Sequence, residues 1–408
     1  MKIRSVTGFL DITSPLDTAQ VEKLGSVLQT IREALTEEGY EVQTLRLATQ
    51  ALPLILEDGG AEVIVELAKD LQAIGFVHGV DYTALGPIRL SDGGDYLDIV
   101  ASILEETENV FASVMLTGDQ GQIHLPRVVQ IARLIQRAAS MTEDGFTNLR
   151  LTASANVKPW SPFFPAAYHG GGGMRVAIAT ESADLAVSAL TQAESLEAAR
   201  HTLIDEVERH AKSLTHIAET ALEEVQPVTY QGIDFSLAPF PDEARSIGAA
   251  LERLGLRQLG GPGTLMAAAF LTDSLDRATF KRTGFSGLML PVLEDRILAA
   301  RAEQQALTVS DLLMFSAVCG TGLDTIPLPG NIALDTLTGI LLDVAALALR
   351  LDKPLTARLM PLPGKQAGDE TDFSFEYFAN SRVLDVPVQQ INGLLAAEET
   401  LTIHPYHK

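Results

Sequence analysis

Residues 2–12 alternate apolar and polar positions, the period of a strand with two unlike faces. Ser14-Pro15-Leu16-Asp17 then opens a helical pattern that runs to about residue 38 and stops at Gly39, with a proline tolerated in a first turn. The alternation continues along the chain. Strands are predicted at 41–48, 111–117, 148–156, 174–179, 228–238, 288–292 and 356–360, and an edge strand at 373–377. Helices are predicted at 61–74, 96–107, 125–140, 245–254, 262–278 and 332–350, with another beginning at 293. Residues 183–225 contain neither glycine nor proline and repeat apolar residues at helical spacing. They read as one very long helix, or two with a break near Thr191. Two turns of the form Asp-Gly-Gly, at 57–60 and 91–95, each lead into a helix, where an acid near the N-terminus satisfies the helix dipole.

Strands alternating with helices from end to end argue for an α/β protein with a largely parallel interior sheet. A closed barrel and an open sheet both meet that description. No Pro/Ser-rich linker divides the chain, so residues 1–408 are expected to form a single α/β domain with a long helical segment at 183–225. Several strands end in proline-containing segments, at 238–241, 290–292, 326–330 and 360–364. If those strands are neighbours, their loops gather on one rim, beyond strand C-termini, where α/β architectures carry their sites.

Composition narrows the partners. A net charge of −23 repels phosphate backbones and anionic lipid, so neither nucleic acid nor a membrane surface is expected as a partner. No apolar run is long enough to span a bilayer. Met1-Lys2-Ile3-Arg4-Ser5-Val6-Thr7 lacks the apolar segment of a signal peptide and reads as the first strand. One cysteine excludes an intrachain disulfide and a cysteine-ligated cluster within the chain, and favours a reducing, cytoplasmic setting.

That cysteine, Cys319, ends an apolar segment and opens a tight loop holding Gly320 and Gly322, which closes on Asp324. Glycine lets a backbone turn sharply or approach a ligand closely. Cys319 reads either as a small buried apolar residue or as a nucleophile whose activating cation comes from elsewhere in the fold. Asp324 reads as a turn residue or as a group that binds a cation or orients a base. Glu294-Asp295 follows the strand at 288–292, where paired carboxylates either compensate a helix dipole or bind a divalent cation. Ser286, in Gly284-Phe285-Ser286-Gly287, is a weak ligand-contact candidate. His169 stands between a proline- and aromatic-rich loop, 159–168, and four glycines, and is a proton-shuttle candidate. The glycine run precedes a strand, the wrong order for a phosphate-cradling turn. Asn156 and Glu181, at two strand ends, are candidates for the same site. Arg4, in the first strand, is a candidate anion contact. His201, His210 and His216 read as surface residues of the long helix.

Ile3-Arg4-Ser5-Val6-Thr7, the stretch from Asn156 to His169, Gly284-Phe285-Ser286-Gly287 with Glu294-Asp295, and the stretch from Cys319 to Gly330 together resemble domain of unknown function 711, also called uncharacterised protein family 0210. The resemblance implies the pyruvate formate-lyase-like fold: a ten-stranded β/α barrel of two parallel five-stranded halves running antiparallel to each other, with helices outside. In radical lyases of that fold a cysteine sits on a finger loop inside the barrel, and the resemblance places Cys319 similarly. Those enzymes also need a C-terminal loop of the form Arg-Val-Ser-Gly-aromatic. Here the nearest string is Arg382-Val383-Leu384-Asp385, without glycine. The expectation is therefore a small-molecule enzyme acting on a carboxylate-bearing metabolite inside the barrel, without a glycyl radical. Cys319, His169 and Asp324 would be catalytic, Arg4, Asn156, Ser286, Gly320 and Gly322 would contact substrate, and Glu294, Asp295 and Glu181 would hold a divalent cation. The alternatives are a metal- or metabolite-binding regulator without turnover, and a structural homo-oligomer built on 183–225.

Overall fold

The computed structural model describes residues 1–55, 60–93, 96–223, 225 and 227–406. Both Asp-Gly-Gly turns fall partly outside the described residues. The first part of the chain runs β1 (Lys2–Leu10), α1 (Thr18–Glu37), β2 (Val42–Ala51), α2 (Ala61–Val77), β3 (Tyr82–Ile88), α3 (Tyr96–Glu106), β4 (Val110–Met115), β5 (Gln122–His124), α4 (Leu125–Ala139) and β6 (Leu151–Ala155). The second part runs β7 (Arg175–Glu181), α5 (Ala183–Gln192), α6 (Leu196–Glu223), β8 (Thr229–Asp234), α7 (Ile247–Arg253), α8 (Thr264–Arg277), α9 (Arg296–Glu303), α10 (Val309–Ser316), β9 (Gly322–Pro329), α11 (Leu334–Leu351), β10 (Leu355–Leu362) and β11 (Thr400–Thr402).

Nine strands form one sheet in the order β8-β7-β1-β2-β3-β4-β6-β10-β9. β1, β2, β3, β4 and β6 are mutually parallel. β7 with β8 and β10 with β9 are parallel pairs that join them antiparallel, through β1 and β6. β5 and β11 make a separate two-stranded ribbon. The parallel strands are buried along nearly their whole length, as expected of a sheet whose helices cover it. Among the described residues no helix is long and apolar enough to cross a membrane.

The segment 288–292, expected as a strand, is irregular. Pro291 lacks an N–H for a regular ladder, and residues 292–294 turn tightly. The segment still makes single parallel bridges to both edge strands' chains, Leu237↔Leu288 and Pro291↔Asp324, preceded by Ile233↔Arg282. The strands that end in proline segments are thus neighbours. The expected edge strand at 373–377 is also irregular. Its aromatic residues pack inward instead, with Phe373, Phe375 and Phe378 around Phe146.

Residues 183–223 form two helices, α5 and α6, broken at 193–195. The apolar stripe of α6, from Ala199 through Leu203, Val207, Ala211, Leu214 and Ala218 to Leu222, is buried in the chain's own core. His201 and His216 are exposed, but His210 is not: its Nδ1 lies 2.9 Å from the Tyr40 hydroxyl. Burial and the adjacent Arg209 pull its pKa down to about 4.

Candidate active site

A cavity of about 170 Å³ lies against the sheet. Arg4 of β1, Arg46 of β2, Tyr82 of β3 and Arg358 of β10 reach it, together with Asp234 at the end of β8 and Glu294 from the irregular segment. Loop 159–168 covers its other side. Phe164 packs there with Phe9, Ala48, Ala84 and Phe111, which belong to four adjacent strands.

Four charged groups are chained along one wall. One oxygen of Glu294 accepts from Arg4 Nη2, and the other accepts from Arg358 Nη2 at 2.7 Å. Arg358 Nε in turn donates to Asp324 Oδ1 at 2.6 Å. Burial drives the Glu294 carboxyl upward, but the Arg4 and Arg358 guanidiniums outweigh it and hold it below the usual carboxylate range. Asp324 goes the other way: burial outweighs Arg358, and the nearby Glu294 charge adds to the rise. These two arginines and two carboxylates balance. β1 and β10 are five strand spacings apart in the sheet order, roughly 24 Å across a flat sheet. Glu294 touches both.

Arg46 is different. Its Nε donates to Thr44 Oγ1 at 2.8 Å, and its guanidinium lies over the rings of Phe164 and Tyr82, 5.1 and 5.6 Å from their centroids. Among the described residues no carboxylate forms a salt bridge with it. Burial, then the neighbouring Arg4, pulls it down to about 10. Asp234, across the cavity, accepts from the Phe285 and Ser286 N–H groups, both at 2.9 Å, and from Ser236 Oγ. Burial nevertheless pushes its carboxyl up.

The expected site residues separate into several places. Arg4 and Glu294 line the cavity, and Asp324 adjoins it through Arg358. Cys319 does not line it. Its side chain is packed in the main apolar core, its Sγ accepts from Gly322 N–H at 3.4 Å, and it borders a separate, more open pocket of about 410 Å³ beside Lys353. Gly320 and Gly322 serve close backbone approach. A Cβ on Gly320 would stand 2.8 Å from Gly287 Cα, and one on Gly322 would stand 2.5 Å from the Thr356 carbonyl.

His169 lies at the opposite end of β1, stacked on Phe9, about five residues or roughly 17 Å of strand from Arg4. Its Nδ1 accepts from Trp160 Nε1 at 3.3 Å, and its Nε2 is 3.5 Å from Asp11 Oδ2. The expected grouping of thiol, imidazole and acid around one hollow is therefore not what the geometry gives. The hydrophobic period placed each residue on an element, but strand order and depth along the strand keep them apart.

Ser286 Oγ donates to carbonyls of Ile233 and Thr283, which pins its own loop. Asn156 takes a positive φ of 56° at the end of β6, and its side chain contacts Lys158 and Asp352. The three expected cation ligands have separate partners. Glu294 is held by two arginines, and Glu181 by Gln43 at 2.7 Å and Arg245 at 3.4 Å. Asp295 accepts from N–H groups at the starts of both α7 and α9, which is helix capping. Among the described residues no group of three His, Cys, Asp or Glu side chains is arranged to hold a metal.

Several cavity residues were not singled out from the sequence, among them Arg46, Tyr82, Arg150, Asp234 and Arg358. Three of them carried a signal: a charge flanked on both sides by apolar residues, as in Leu45-Arg46-Leu47, Ile233-Asp234-Phe235 and Ala357-Arg358-Leu359. A charge that interrupts a buried strand needs a partner or a ligand.

The fold and site define an α/β protein with a charged, aromatic-walled internal cavity. The chain belongs to the family described as Uncharacterised ACR (DUF711), which matches residues 1–377. It is 31% identical over 366 residues to a UPF0210 protein of Methanopyrus kandleri, covering 86% of this chain and 81% of the relative. It is 32% identical over 357 residues to a UPF0210 protein of Pyrobaculum arsenaticum, covering 83% and 78%. A UPF0210 protein of Halothermothrix orenii is 27% identical over 367 residues, covering 86% and 80%.

Proposed function

We propose that this protein is a small-molecule enzyme that binds a carboxylate-bearing metabolite in the cavity, with Arg46 as the anchor. The observation that carries this reading is the Arg46 guanidinium: a cation lining the cavity beside the mutually paired Arg4, Glu294, Arg358 and Asp324, with two terminal nitrogens that have no carboxylate partner among the described residues. The other arginine of the lining, Arg150, is held by the Leu104 and Val110 carbonyls. A partly buried charge without a counter-ion is unfavourable, so a site that keeps one is matched to an anionic guest. Asp234 is the group assigned to exchange a proton. Its carboxyl is shifted upward while that of Glu294 is shifted downward, and two acids pushed apart in one cavity divide acid and anion roles.

The same reading closes the sheet. Residues 282–291 bridge from the β8 chain to β9, and one carboxylate reaches both β1 and β10. Both observations support a ten-stranded ring of two antiparallel halves, the pyruvate formate-lyase-like architecture. Radical chemistry has no support from residues 382–385: Val383 and Leu384 are core residues, and Arg382 is bound to the Gly368 carbonyl.

A reading without turnover, as a metabolite sensor, is favoured by the placement of Cys319 and His169 outside the cavity. The homo-oligomer reading needs a surface other than the buried stripe of α6. Calorimetry against a set of small carboxylic acids, with ligand NMR to follow consumption, separates the first two. Binding that disappears in Arg46→Met, with consumption that disappears in Asp234→Asn, supports the enzyme. Binding with no consumption of any acid moves the protein to the sensor class, and indifference to Arg46→Met removes the anchor.

A further inference from the structure

We infer that the guest is a flat aromatic carboxylic acid of about the size of benzoate, an inference that rests on the carboxylate reading above. Three observations lead there.

The first is how Arg46 is held. Its Nε–H is already given to Thr44, so the pair of terminal nitrogens is what remains for a ligand. A carboxylate that takes both nitrogens lies in the guanidinium plane. The guanidinium carbon lies over the rings of Phe164 and Tyr82, 5.1 and 5.6 Å from their centroids. A carboxylate taken by the terminal nitrogens is therefore set beside an aromatic wall. In an aryl carboxylate the ring is conjugated with its carboxylate and shares its plane, so one flat group meets both the guanidinium and the wall, which a saturated, puckered ring does less well.

The second is the wall itself. Phe111 meets Tyr82 and Phe164 edge to face, at centroid distances of 5.2 and 5.5 Å. The three rings form a continuous cradle beside Arg46, and Phe375 and Tyr377 line the same cavity. Aromatic residues are 6% of the chain, yet they dominate the apolar part of this lining. Rings in that arrangement discriminate a further ring from an aliphatic group of equal area, through offset and edge contacts.

The third is size. A cavity of about 170 Å³ is close to the ~150 Å³ in which an apolar protein cavity holds benzene. One ring plus a carboxylate matches that volume, and an acid of two or three carbons leaves the aromatic wall uncovered.

The test is isothermal titration of the full-length protein with three matched probes: benzoate, cyclohexanecarboxylate and benzamide. Benzoate is expected to bind best. Cyclohexanecarboxylate is expected to bind about three- to tenfold more weakly, the range a lost ring–ring contact produces. Benzamide, which lacks the charge, is expected not to bind. Arg46→Met should abolish binding of both acids. Phe164→Leu should weaken benzoate severalfold and leave cyclohexanecarboxylate within about twofold, the range of a volume-conserving apolar exchange. Phe111→Leu gives the same contrast if Phe164→Leu does not fold. Equal affinity of the wild type for the two acids, or an equal loss for both acids in the ring variants, overturns the aromatic assignment and leaves the carboxylate reading standing. Failure of both acids to bind, or equal binding by Arg46→Met, overturns the carboxylate reading and this inference with it.

Discussion

The cavity wall and the Cys319 loop make an instructive pair. Both are buried, both lie beside the irregular segment 284–294, and both carry residue types associated with chemistry. In the wall, Arg4, Glu294, Arg358 and Asp324 are satisfied by one another, and Arg46 has no carboxylate partner among the described residues. In the loop, Cys319 is held by apolar packing, and the cation beside it is already used. Lys353 Nζ donates to the carbonyls of Ser316, at 3.0 Å, and of Cys319, capping the end of α10. A reactive residue type is thus a weaker pointer to a site than an unbalanced charge in a closed space. The wall stores its potential in electrostatics, and the loop spends its special residues on geometry.

The two regions should respond differently to substitution. The largest effect is expected for Arg358→Met. It leaves Glu294 with one partner and Asp324 with none, both buried, and should lower unfolding stability by about 3–5 kcal/mol in urea titration. A loss below about 1 kcal/mol, the range of an exposed pair, would mean the wall is wet and loosely coupled.

Gly287→Ala tests the loop. The added Cβ would lie 2.6 Å from Gly320 Cα, backbone against backbone, and should cost about 1–3 kcal/mol through overpacking. No loss of stability would show that the two glycine segments separate easily, which would reopen the Cys319 loop as a mobile element.

His169 sharpens the contrast, as a buried group with neither the wall's balance nor a cavity to face. Burial, helped by Arg175 and opposed by Asp11, lowers its pKa. The unfolded chain therefore takes up the proton first on acidification. The stability contributed by the neutral imidazole is complete above its ordinary pKa of about 6.5 and erodes as pH falls below it, at up to about 1.4 kcal/mol per pH unit. Stability measured from pH 7 to 5 should fall less steeply in His169→Gln than in the wild type. Parallel slopes would place the titration elsewhere.

The smallest effect is expected for Cys319→Ala. Loss of one packed sulfur should cost about 1–2 kcal/mol and leave acid binding in the cavity unchanged. Abolished binding in a folded Cys319→Ala protein would break the comparison outright.

The two regions also differ in how far the sequence exposed them. The Cys319 loop was visible because its residues are consecutive and its glycines bunched. The wall was half visible. Arg4 and Glu294 drew notice, but Arg46 and Arg358 passed as ordinary strand residues, because apolar neighbours on both sides carry the periodic signal. Loop 159–168 was visible as rigid. Its burial against four strands was not, since nothing local says which surface a proline-rich loop covers.

What the sequence determined by itself is local. The alternation of strands and helices, the stops at glycine and the parallel character of the interior all follow from period, capping and backbone freedom, which act over a few residues, whereas 183–225 read equally as one helix or two. What only the tertiary structure decided is which side chains meet. Arg4 and Glu294 are 290 residues apart, and they touch because the irregular segment that ends at Glu294 runs beside the β8 and β9 chains and carries its carboxylate to β1. Hydrophobic periodicity specifies a face for each strand and says nothing of its neighbours, so the cavity, its charge balance and the unmatched guanidinium emerge only when the strands are assembled.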